Sequence, residues 1–334
     1  MQPKVALFSG KHCRQVDEIS RFVREEGADP VVCRSGLGGE NGEEVSLSSS
    51  RMSWGGVDFS EIKALHIRCI SQNTSFSMPP VTNAVQYEEF RTSFMREQFF
   101  QGAAFGFFEE FARRGGLVVN SPFGAYVDHD TKAQLCSKLR ENGFDAPRSI
   151  MTNSPDEAAR FISLVGEAVC KPSIGVGSTR AVLPDDIRES SDLPLCPVLF
   201  QEYVRGKTLR VHVVGDSMVL ALEIIAPDVD SRTSTKGFER FIMPPEEKER
   251  IVQATRFLGL HYAAWDVMAS ADGRYVYLDC NPGPYVMWIG KENRALVFRQ
   301  LARYLVGYAR TGSVEEASAL VKAGGVHDAR VLRC

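Results

Sequence analysis

The segment 263–290, AAWDVMASADGRYVYLDCNPGPYVMWIG, constrains the fold of this chain more than any other stretch. It predicts a β-hairpin, because Asp272-Gly273 is typical of a two-residue type I′ turn and apolar residues alternate on both sides of it. A turn centred on that pair places Asp266 directly opposite Asp279. Asn281 lies two residues further along its strand and therefore on the same face.

The polar face of this hairpin predicts a metal site. Two opposed carboxylates, with Cβ atoms roughly 5 Å apart, repel each other unless a cation lies between them. Two carboxylates and one amide oxygen suit Mg²⁺, which takes its remaining ligands from water and phosphate groups. The alternative is an ordinary solvated hairpin. The other face is predicted to be apolar and to point into a core. Its members are Trp265, Val267, Ala269, Val276, Leu278 and Cys280.

Composition narrows the class of protein. The chain has 334 residues, of which 44% are hydrophobic and 24% charged, and a net charge of −3, which is typical of a soluble protein with two or three domains. Such a charge predicts neither nucleic-acid nor membrane partners. The eight cysteines form no C-x-x-C pair, and no signal-peptide core precedes the first strand. We therefore expect reduced thiols and a cytoplasmic location.

The N-terminal part predicts a small open parallel sheet. Strands at Lys4–Ser9, Pro30–Cys33 and Ile62–Ile70 alternate with helical sequence, beginning with a helix at Arg14–Glu26. Ser35–Ser50 is expected to be a polar surface loop.

A long helix is predicted over roughly Val85–Arg114, and it carries eight phenylalanines. Aromatic residues at helical spacing are typical of a core or a domain interface. The same helix could serve a subunit interface, so a homo-oligomer is left open.

A glycine-rich turn follows a predicted strand in the middle of the chain. The strand Glu167–Pro172 carries Lys171, and the turn SIGVGST covers 173–179. Successive glycines let backbone N–H groups converge on phosphate oxygens, and a lysine at the base adds positive charge. The alternative is an exposed hairpin tip. Further on, the polar segment Asp228–Phe241 is predicted to be a mobile flap, and it and the Tyr285–Trp288 loop are candidates for substrate contacts.

These segments together resemble a known superfamily. In chain order they are a helix beginning near Lys132, a Lys-Pro strand with its glycine loop, F-Q-E-Y-V, L-R-V-x-V-V-G and D-x-N-P-G. The set resembles the ATP-grasp superfamily, its RimK-like ligases, and among those the graspetide (microviridin-type) synthetases. The resemblance covers about Asn120–Tyr308. It implies an α/β (α+β) fold, with an ATP-grasp domain after an N-terminal pre-ATP-grasp open-sheet domain.

The resemblance also implies a division of the chain. The predicted parts are an N-terminal domain (1–119), a central subdomain with the glycine-rich loop (120–197), a C-terminal subdomain with the metal site (198–312) and a final helix and tail (313–334).

Site residues carry over by their positions in the matching segments. The resemblance implies that Lys132 and Lys171 contact the phosphates and that Gly175, Gly177 and Ser178 form a loop over them. It implies adenine contacts by Glu202, Tyr203 and Val204 and a ribose contact by Thr208. The implied metal ligands are Asp266, Asp279 and Asn281, and the arginines that face the transferred phosphoryl group are Arg210 and Arg232. Two positions depart from the family pattern. Thr208 replaces an acidic ribose-binding residue, and Asp279 replaces a glutamate that is one methylene longer.

The implied activity is ATP-dependent ligation with Mg²⁺, or with Mn²⁺ in its place. A substrate carboxylate would be activated as an acyl phosphate and joined to an amine or a hydroxyl, on a peptide or a small molecule such as an amino acid. The alternatives are an ATP-grasp kinase and a nucleotide-binding scaffold without catalysis. The sequence discloses neither the donor carboxylate nor the nucleophile, and it shows no general base.

Overall fold

A computed structural model describes residues 2–10, 13–35, 44–68, 83–123, 131–172, 179–188, 196–228 and 234–331. The strands are β1 (Lys4–Gly10), β2 (Asp29–Ser35), β3 (Val45–Leu47), β4 (Met52–Trp54), β5 (Val57–Asp58), β6 (Ile62–Ile67), β7 (Leu117–Val119), β8 (Ser149–Thr152), β9 (Ala168–Pro172), β10 (Arg180–Val182), β11 (Val198–Glu202), β12 (Gly206–Val214), β13 (Ser217–Ile225), β14 (Gly237–Arg240), β15 (Tyr262–Ser270) and β16 (Tyr275–Asn281). The helices are α1 (Arg14–Glu25), α2 (Ala84–Arg113), α3 (Lys132–Glu141), α4 (Pro155–Val165), α5 (Pro184–Arg188), α6 (Pro245–Phe257), α7 (Lys291–Thr311) and α8 (Val314–Val331).

The chain forms two compact units. The first comprises Met1–Pro122, Val214–Asp216 and Gly283–Cys334, and the second comprises Phe123–Val213 and Ser217–Pro282. The four-part division expected from the sequence stays a prediction. None of the described helices is long and apolar enough to cross a membrane.

The first unit contains the predicted open sheet. Its strand order is β2-β1-β6-β7, and all three pairings are parallel. The C-terminal helices belong to this unit, because α7 packs against α1, β1 and β6, and α8 packs against α7. Two ion pairs connect α7 to α1. Arg294 pairs with Glu18 at 3.0 Å, and Arg303 pairs with Glu26, the residue that follows the end of α1, at 2.9 Å.

Aromatic side chains fill one core of the first unit. Trp54 and Phe8 lie edge to face with ring centroids 5.0 Å apart, and Phe8 meets Phe108 at 4.9 Å. Such edge-to-face pairs are favoured by the ring quadrupoles. The aromatic-rich helix α2 therefore contributes core residues, but only from its C-terminal half. Its N-terminal half is largely exposed, and Phe99 is 68% accessible.

The strands β3, β4 and β5 form a small antiparallel sheet in the same unit. The polar loop expected over Ser35–Ser50 was therefore wrong for Val45–Leu47, while residues 36–43 lie outside the described part of the chain. Short strands of this kind have too few residues for a clear alternation pattern.

The second unit contains two antiparallel sheets, ordered β10-β9-β11-β8 and β14-β13-β12-β15-β16. The strand β14 pairs with β13, so part of the flap predicted over Asp228–Phe241 is instead sheet. Residues 229–233 of that segment are outside the described ranges. Trp265 lies in the main core of this unit, and its indole N–H donates to Thr255 Oγ1 of α6 at 2.8 Å.

The hairpin of β15 and β16 pairs Asp266 with Asp279, as the sequence predicts, although its turn differs from the predicted type. The N–H of Ser270 donates to the carbonyl of Arg274, and the N–H of Gly273 donates to that of Ser270. Among the described residues only glycines have positive φ, and Gly273 is one of them at 85°. The turn is therefore a three-residue loop that ends in a left-handed glycine, not a two-residue type I′ turn.

A bulge compensates for this longer turn. Near the turn the register is shifted by one residue, so that Val267 pairs with Tyr277. The shift ends between Val267 and Asp266, where Leu278 is the extra residue of a β-bulge. Tyr277 is therefore buried against Trp265, with ring centroids 5.4 Å apart, and Leu278 is only half-buried. The prediction that Leu278 belongs to the core was wrong.

A buried histidine makes the stability of the protein depend on pH. His66 in β6 is fully buried, and its Nδ1 lies 2.8 Å from the carbonyl oxygen of Val119. Burial lowers the pKa of His66 to about 4, because desolvation disfavours the charged ring more than this hydrogen bond favours it. His66 is therefore neutral in the folded protein at pH values where it is protonated in the unfolded chain.

We expect the free energy of unfolding to fall as the pH falls from 6.5 toward 4. At its steepest, His66 contributes about 1.4 kcal/mol per pH unit, because the unfolded state binds one proton more. His66→Asn keeps a donor for Val119 but cannot be protonated. We expect urea titrations between pH 7 and pH 4.5 to show that the free energy of unfolding of the variant depends less steeply on pH. The difference in slope should correspond to the uptake of up to one proton fewer on unfolding. An unchanged slope would mean that His66 is charged inside the fold.

Candidate active site

The predicted metal trio lies on one face of the β15–β16 hairpin. Asp266 and Asp279 are register partners, and Asn281, which pairs with Ala264, lies two positions further along the ladder. All three polar side chains are partly accessible, whereas Trp265 and Cys280 on the opposite face are buried. The alternation of the strand thus separates a polar face from the core, as predicted.

Each carboxylate of this pair has a cationic partner. Lys132, the first residue of α3, forms an ion pair with Asp279, and Arg210 of β12 donates from Nη1 to Asp266 at 2.7 Å. The side chain of Arg210 is 9% accessible and that of Asp266 is 35% accessible. These two cations offset the repulsion between the opposed carboxylates.

Arg210 remains charged despite its burial. Desolvation opposes the charged guanidinium, but Asp266 and, more weakly, Asp279 raise its pKa above the ordinary value. Its Nε is buried and has no hydrogen-bond partner among the described residues. A buried, charged donor of this kind is suited to an anionic ligand, because the guanidinium fork can bind two oxygens at once.

Lys171 lies near the end of β9 and is half-buried. Its Nζ donates to Gln201 Oε1 of β11 at 3.0 Å, and the amide of Gln201 donates in turn to the sulfur of Cys136 at 3.3 Å. Burial lowers the pKa of Lys171, an effect that the charge of Asp279 opposes and that of Lys132 reinforces. Lys171, Lys132 and Asp279 therefore form one electrostatic group.

The segment after β11 contains the residues predicted to meet adenine and ribose. The N–H groups of Glu202 and Tyr203 donate to the carbonyls of Arg148 and Glu167, both at 2.9 Å. Among the described residues, the N–H of Val204 has no hydrogen-bond partner. It is thus the one N–H of the three that is open to a ligand.

The side chains of this segment are held by arginines. The carboxylate of Glu202 accepts from Nε of Arg148 at 3.0 Å, and this bond, with the charge of Arg148, lowers the pKa of Glu202. The guanidinium carbon of Arg205 lies 5.4 Å from the ring centre of Tyr203. Thr208 is half-buried in β12, two residues before Arg210.

The strand β12 requires glycine where it begins. A Cβ on Gly206 would lie 2.2 Å from the carbonyl oxygen of Ala269 in β15, well inside van der Waals contact. The close approach of these two backbones brings β12, and hence Arg210, beside the strand of Asp266.

Four predicted site residues lie outside the described part of the chain. They are Gly175, Gly177 and Ser178 of the phosphate loop, and Arg232 of the predicted flap. The described site residues all belong to the second compact unit.

The sequence did not single out three further side chains that contact or lie beside the predicted site residues. Gln201 contacts Lys171, Arg148 contacts Glu202, and His212 lies two residues after Arg210 on the same face of β12. Burial and the charge of Arg210 lower the pKa of His212 to about 3, and neither ring nitrogen has a partner among the described residues. Only Gln201 gave a signal, as a polar residue that interrupts an apolar strand.

The residues present fit a magnesium ion. The described ranges contain no group of three or more His, Cys, Asp and Glu side chains suited to a metal. The trio here instead combines two carboxylates with an amide, and Mg²⁺ uses one or two carboxylates and completes its shell with water and phosphate oxygens. The opposition of Asp266 and Asp279 in the hairpin register supplies those two carboxylates.

The fold and the hairpin site together define an ATP-grasp protein. The solved structure described as "ATP-grasp ligase PsnB complexed with minimal precursor, Mg, and ADP" matches with a TM-score of 0.77 and 26% identity, over 92% of this chain and 97% of that one. The macrocyclase MdnC of Microcystis aeruginosa MRC, bound with the precursor peptide MdnA, shares the fold at a TM-score of 0.72 and 17% identity, over 91% and 99% of the two chains.

Sequence comparison assigns the family. The RimK-like ATP-grasp domain matches residues 129–305, more than half of the chain, and the chain belongs to this family. The ribosomal protein bS6–L-glutamate ligase of Shigella boydii serotype 18 is 28% identical over 195 residues, which are 54% of this chain and 64% of that protein. The tetrahydromethanopterin:α-L-glutamate ligase of Methanocaldococcus jannaschii is 26% identical over 58% and 72% of the two chains. The chain thus spans less than two thirds of the first of these relatives.

Proposed function

We propose that this protein is an ATP-dependent ligase that joins a peptide carboxylate to an amine or a hydroxyl. The observation that carries the proposal is the pairing of Asp266 with Asp279, each held by a cation, with Lys171 in the same electrostatic group. Two acids and three cations that interact with one another can bind a metal together with a chain of phosphates.

The proposed reaction has two steps. One oxygen of the substrate carboxylate bonds to the γ-phosphorus of ATP while the β–γ bridging bond breaks, which gives an acyl phosphate and ADP. The amine or hydroxyl then bonds to the acyl carbon, the bond to phosphate breaks, and inorganic phosphate and one proton are released. Positioning and charge neutralisation supply most of the catalysis in phosphoryl transfer.

The described residues have distinct roles in this proposal. Lys171 and Lys132 bind phosphate oxygens, and Arg210 faces the transferred phosphoryl group with its Nε, which has no partner among the residues that the structure describes. Asp266, Asp279 and Asn281 hold Mg²⁺, which neutralises phosphate charge when bound. Mn²⁺, which accepts the same oxygen ligands, is the proposed substitute.

Nucleotide binding is supported by the segment after β11. Val204, whose N–H has no partner within the described part of the chain, offers that N–H to an adenine nitrogen. Thr208 supplies a hydroxyl for the ribose in place of an acidic side chain, and a hydroxyl both donates and accepts. We propose that the glycine loop with Gly175, Gly177 and Ser178 covers the phosphates and that Arg232 contacts the transferred group.

A peptide substrate is supported by the neighbours, because both PsnB and MdnC are described in complex with precursor peptides. A cytoplasmic location is supported by the thiols, since the cysteines at 13, 33, 136, 170, 196 and 280 are all free.

The test is ADP release from ATP and Mg²⁺ across a panel of peptides with and without side-chain carboxylates, in the presence and absence of hydroxylamine. A ligase releases ADP only with a carboxylate acceptor, and hydroxylamine traps the acyl phosphate as a hydroxamate. A kinase would instead give a phosphopeptide and no hydroxamate. ATP binding without acceptor-dependent ADP release would contradict the proposal and favour a scaffold.

A further inference from the structure

Lys171 differs from the other two cations of the site in the kind of partner that holds it. Lys132 and Arg210 each form an ion pair with a carboxylate of the hairpin. Lys171 forms no ion pair with any of the described residues, and its Nζ donates instead to Oε1 of Gln201 at 3.0 Å. The partner of Lys171 is therefore a neutral amide, which fixes the position of the ammonium without neutralising its charge.

The register of the sheet brings Gln201 to Lys171. Gln201 of β11 pairs with Val169 of β9, and Lys171 lies two residues further along β9 on the same face. The two side chains are thus diagonal neighbours across antiparallel strands, and long side chains can touch across such a diagonal. Gln201 is only 3% accessible, so its amide depends on protein groups rather than on bulk water for its hydrogen bonds.

The chemistry of its two partners fixes which way the amide of Gln201 faces. An ammonium has three donors and no acceptor, so the oxygen of the amide must face Lys171. The amide nitrogen then donates to the sulfur of Cys136 on α3 at 3.3 Å, and a thiol sulfur is a weak acceptor. A flipped amide would set its N–H groups against the ammonium and would lose the bond to Lys171.

Cys136 connects this contact to the metal face. Lys132 and Cys136 are four residues apart in α3 and therefore lie on the same side of that helix. Lys132 reaches Asp279, and Cys136 accepts from Gln201. One turn of α3 thus supports both lysines that the proposed function assigns to the phosphates, Lys132 directly and Lys171 through Gln201.

We propose that Gln201 is a positioning residue, which holds the ammonium of Lys171 where it binds a phosphate oxygen of ATP, and that Cys136 orients Gln201. The inference rests on the proposed function, because it requires a nucleotide site at Lys171. Gln201 uses one of the three N–H groups of the ammonium, and two remain for phosphate. A neutral acceptor suits this role, since a carboxylate at the same place would compete with the phosphates for the positive charge.

The first test compares the dissociation constants of ATP and adenosine in the presence of Mg²⁺, measured by competition with a fluorescent ATP analogue. Q201M keeps the length of the side chain and removes both hydrogen bonds. We expect it to weaken the binding of ATP about tenfold, as the loss of one hydrogen bond to a charged group does, and to leave the binding of adenosine unchanged. A merely structural role would weaken both ligands equally, because the whole site would be disturbed.

Two further variants test whether Gln201 acts through Lys171. Q201E keeps the hydrogen bond but makes the acceptor an anion, so it should weaken ATP binding more than Q201M, since the carboxylate pairs with Lys171 and repels phosphate. In a K171M background, Q201M should have no further effect on ATP binding, because a residue that acts through Lys171 loses its effect when Lys171 is removed. Equal losses from Q201M in the wild-type and K171M backgrounds would overturn the inference.

Cys136 is tested by one variant that removes the acceptor and one that keeps it. C136A should weaken ATP binding about threefold, less than Q201M, because Lys171 still holds the other end of the amide. C136S replaces the thiol with a hydroxyl, which also accepts a hydrogen bond, and should bind ATP like the wild type. Equal ATP affinities of C136A and the wild type would contradict the orienting role of Cys136.

The matched control is Q253M, the same change at an exposed position of α6 in the same compact unit. It should leave both dissociation constants unchanged, and thermal unfolding should show that every variant is folded. A wild-type protein that binds ATP no more tightly than adenosine would contradict the proposed function and this inference with it. A wild-type preference for ATP that Q201M leaves unchanged would contradict the role of Gln201 alone.

Discussion

Replacing Asp279 by Asn is expected to lower the rate of ATP-dependent ligation about a thousandfold, because a bound metal supplies several kcal/mol of charge stabilisation and about 4 kcal/mol corresponds to that factor. The amide keeps the size of the side chain and can still accept a hydrogen bond from Lys132. The fold should therefore remain, and the loss should appear in kcat measured by ADP release at saturating ATP.

The hairpin supplies its own control for this variant. Asp272 is an exposed acid at the tip of the same hairpin, where it bonds to Ser270 and Arg274 and has a pKa lowered to about 2. D272N should keep nearly full activity, although it removes the same charge. Thermal unfolding of both variants should show intact folding. If D279N retained wild-type kcat at saturating Mg²⁺, the metal assignment would be wrong.

The opposition of Asp266 and Asp279 could be predicted from the sequence because it depends on local alternation and one turn signal. The predicted turn type was wrong, because Asp272 does not adopt positive φ and the loop has three residues. The prediction held only because the bulge at Leu278 restores the register. A bulge is decided by packing, here by Tyr277 against Trp265, and packing between distant residues leaves no short-range pattern.

The partners of the acids were harder to foresee. The resemblance placed Lys132 and Arg210 at the phosphates, and the structure also brings each of them to a carboxylate of the hairpin. The supporting contacts of Arg148 and Gln201 cross between strands far apart in sequence, so no spacing rule reveals them. The grouping of α7 with the N-terminal sheet is likewise a long-range contact, invisible to periodicity.

The paired charges explain how two opposed carboxylates are tolerated on one face of the hairpin. Two opposed carboxylates and several cations are each costly when buried alone, but the pairs Lys132–Asp279 and Arg210–Asp266 satisfy both signs. A metal ion and a polyphosphate also carry one positive and one negative partner for these side chains. In the proposed function the carboxylates turn to the metal, while Lys132 and Arg210 turn to phosphate.

Arg210 is where this exchange can be tested most directly. R210K keeps the positive charge beside Asp266 but replaces the planar fork with a single ammonium. We expect kcat to fall about a hundredfold, in the range found when one donor to the developing charge is removed, while the KM for ATP changes little. The reason is that Lys171 and Lys132, which bind the phosphates in the proposed function, are unchanged in this variant.

R210M separates charge from geometry. It leaves Asp266 without its cation, so we expect a loss of about 1–3 kcal/mol of unfolding free energy, less than for a fully buried pair because Asp266 is partly accessible. K207M is the matched control, since Lys207 lies on the same strand in an exposed pair with Glu223. That control should cost less than about 1 kcal/mol and keep its activity. Equal kcat in R210K and the wild type would remove Arg210 from the phosphoryl site, whereas a stability loss confined to R210M would still confirm its pairing with Asp266.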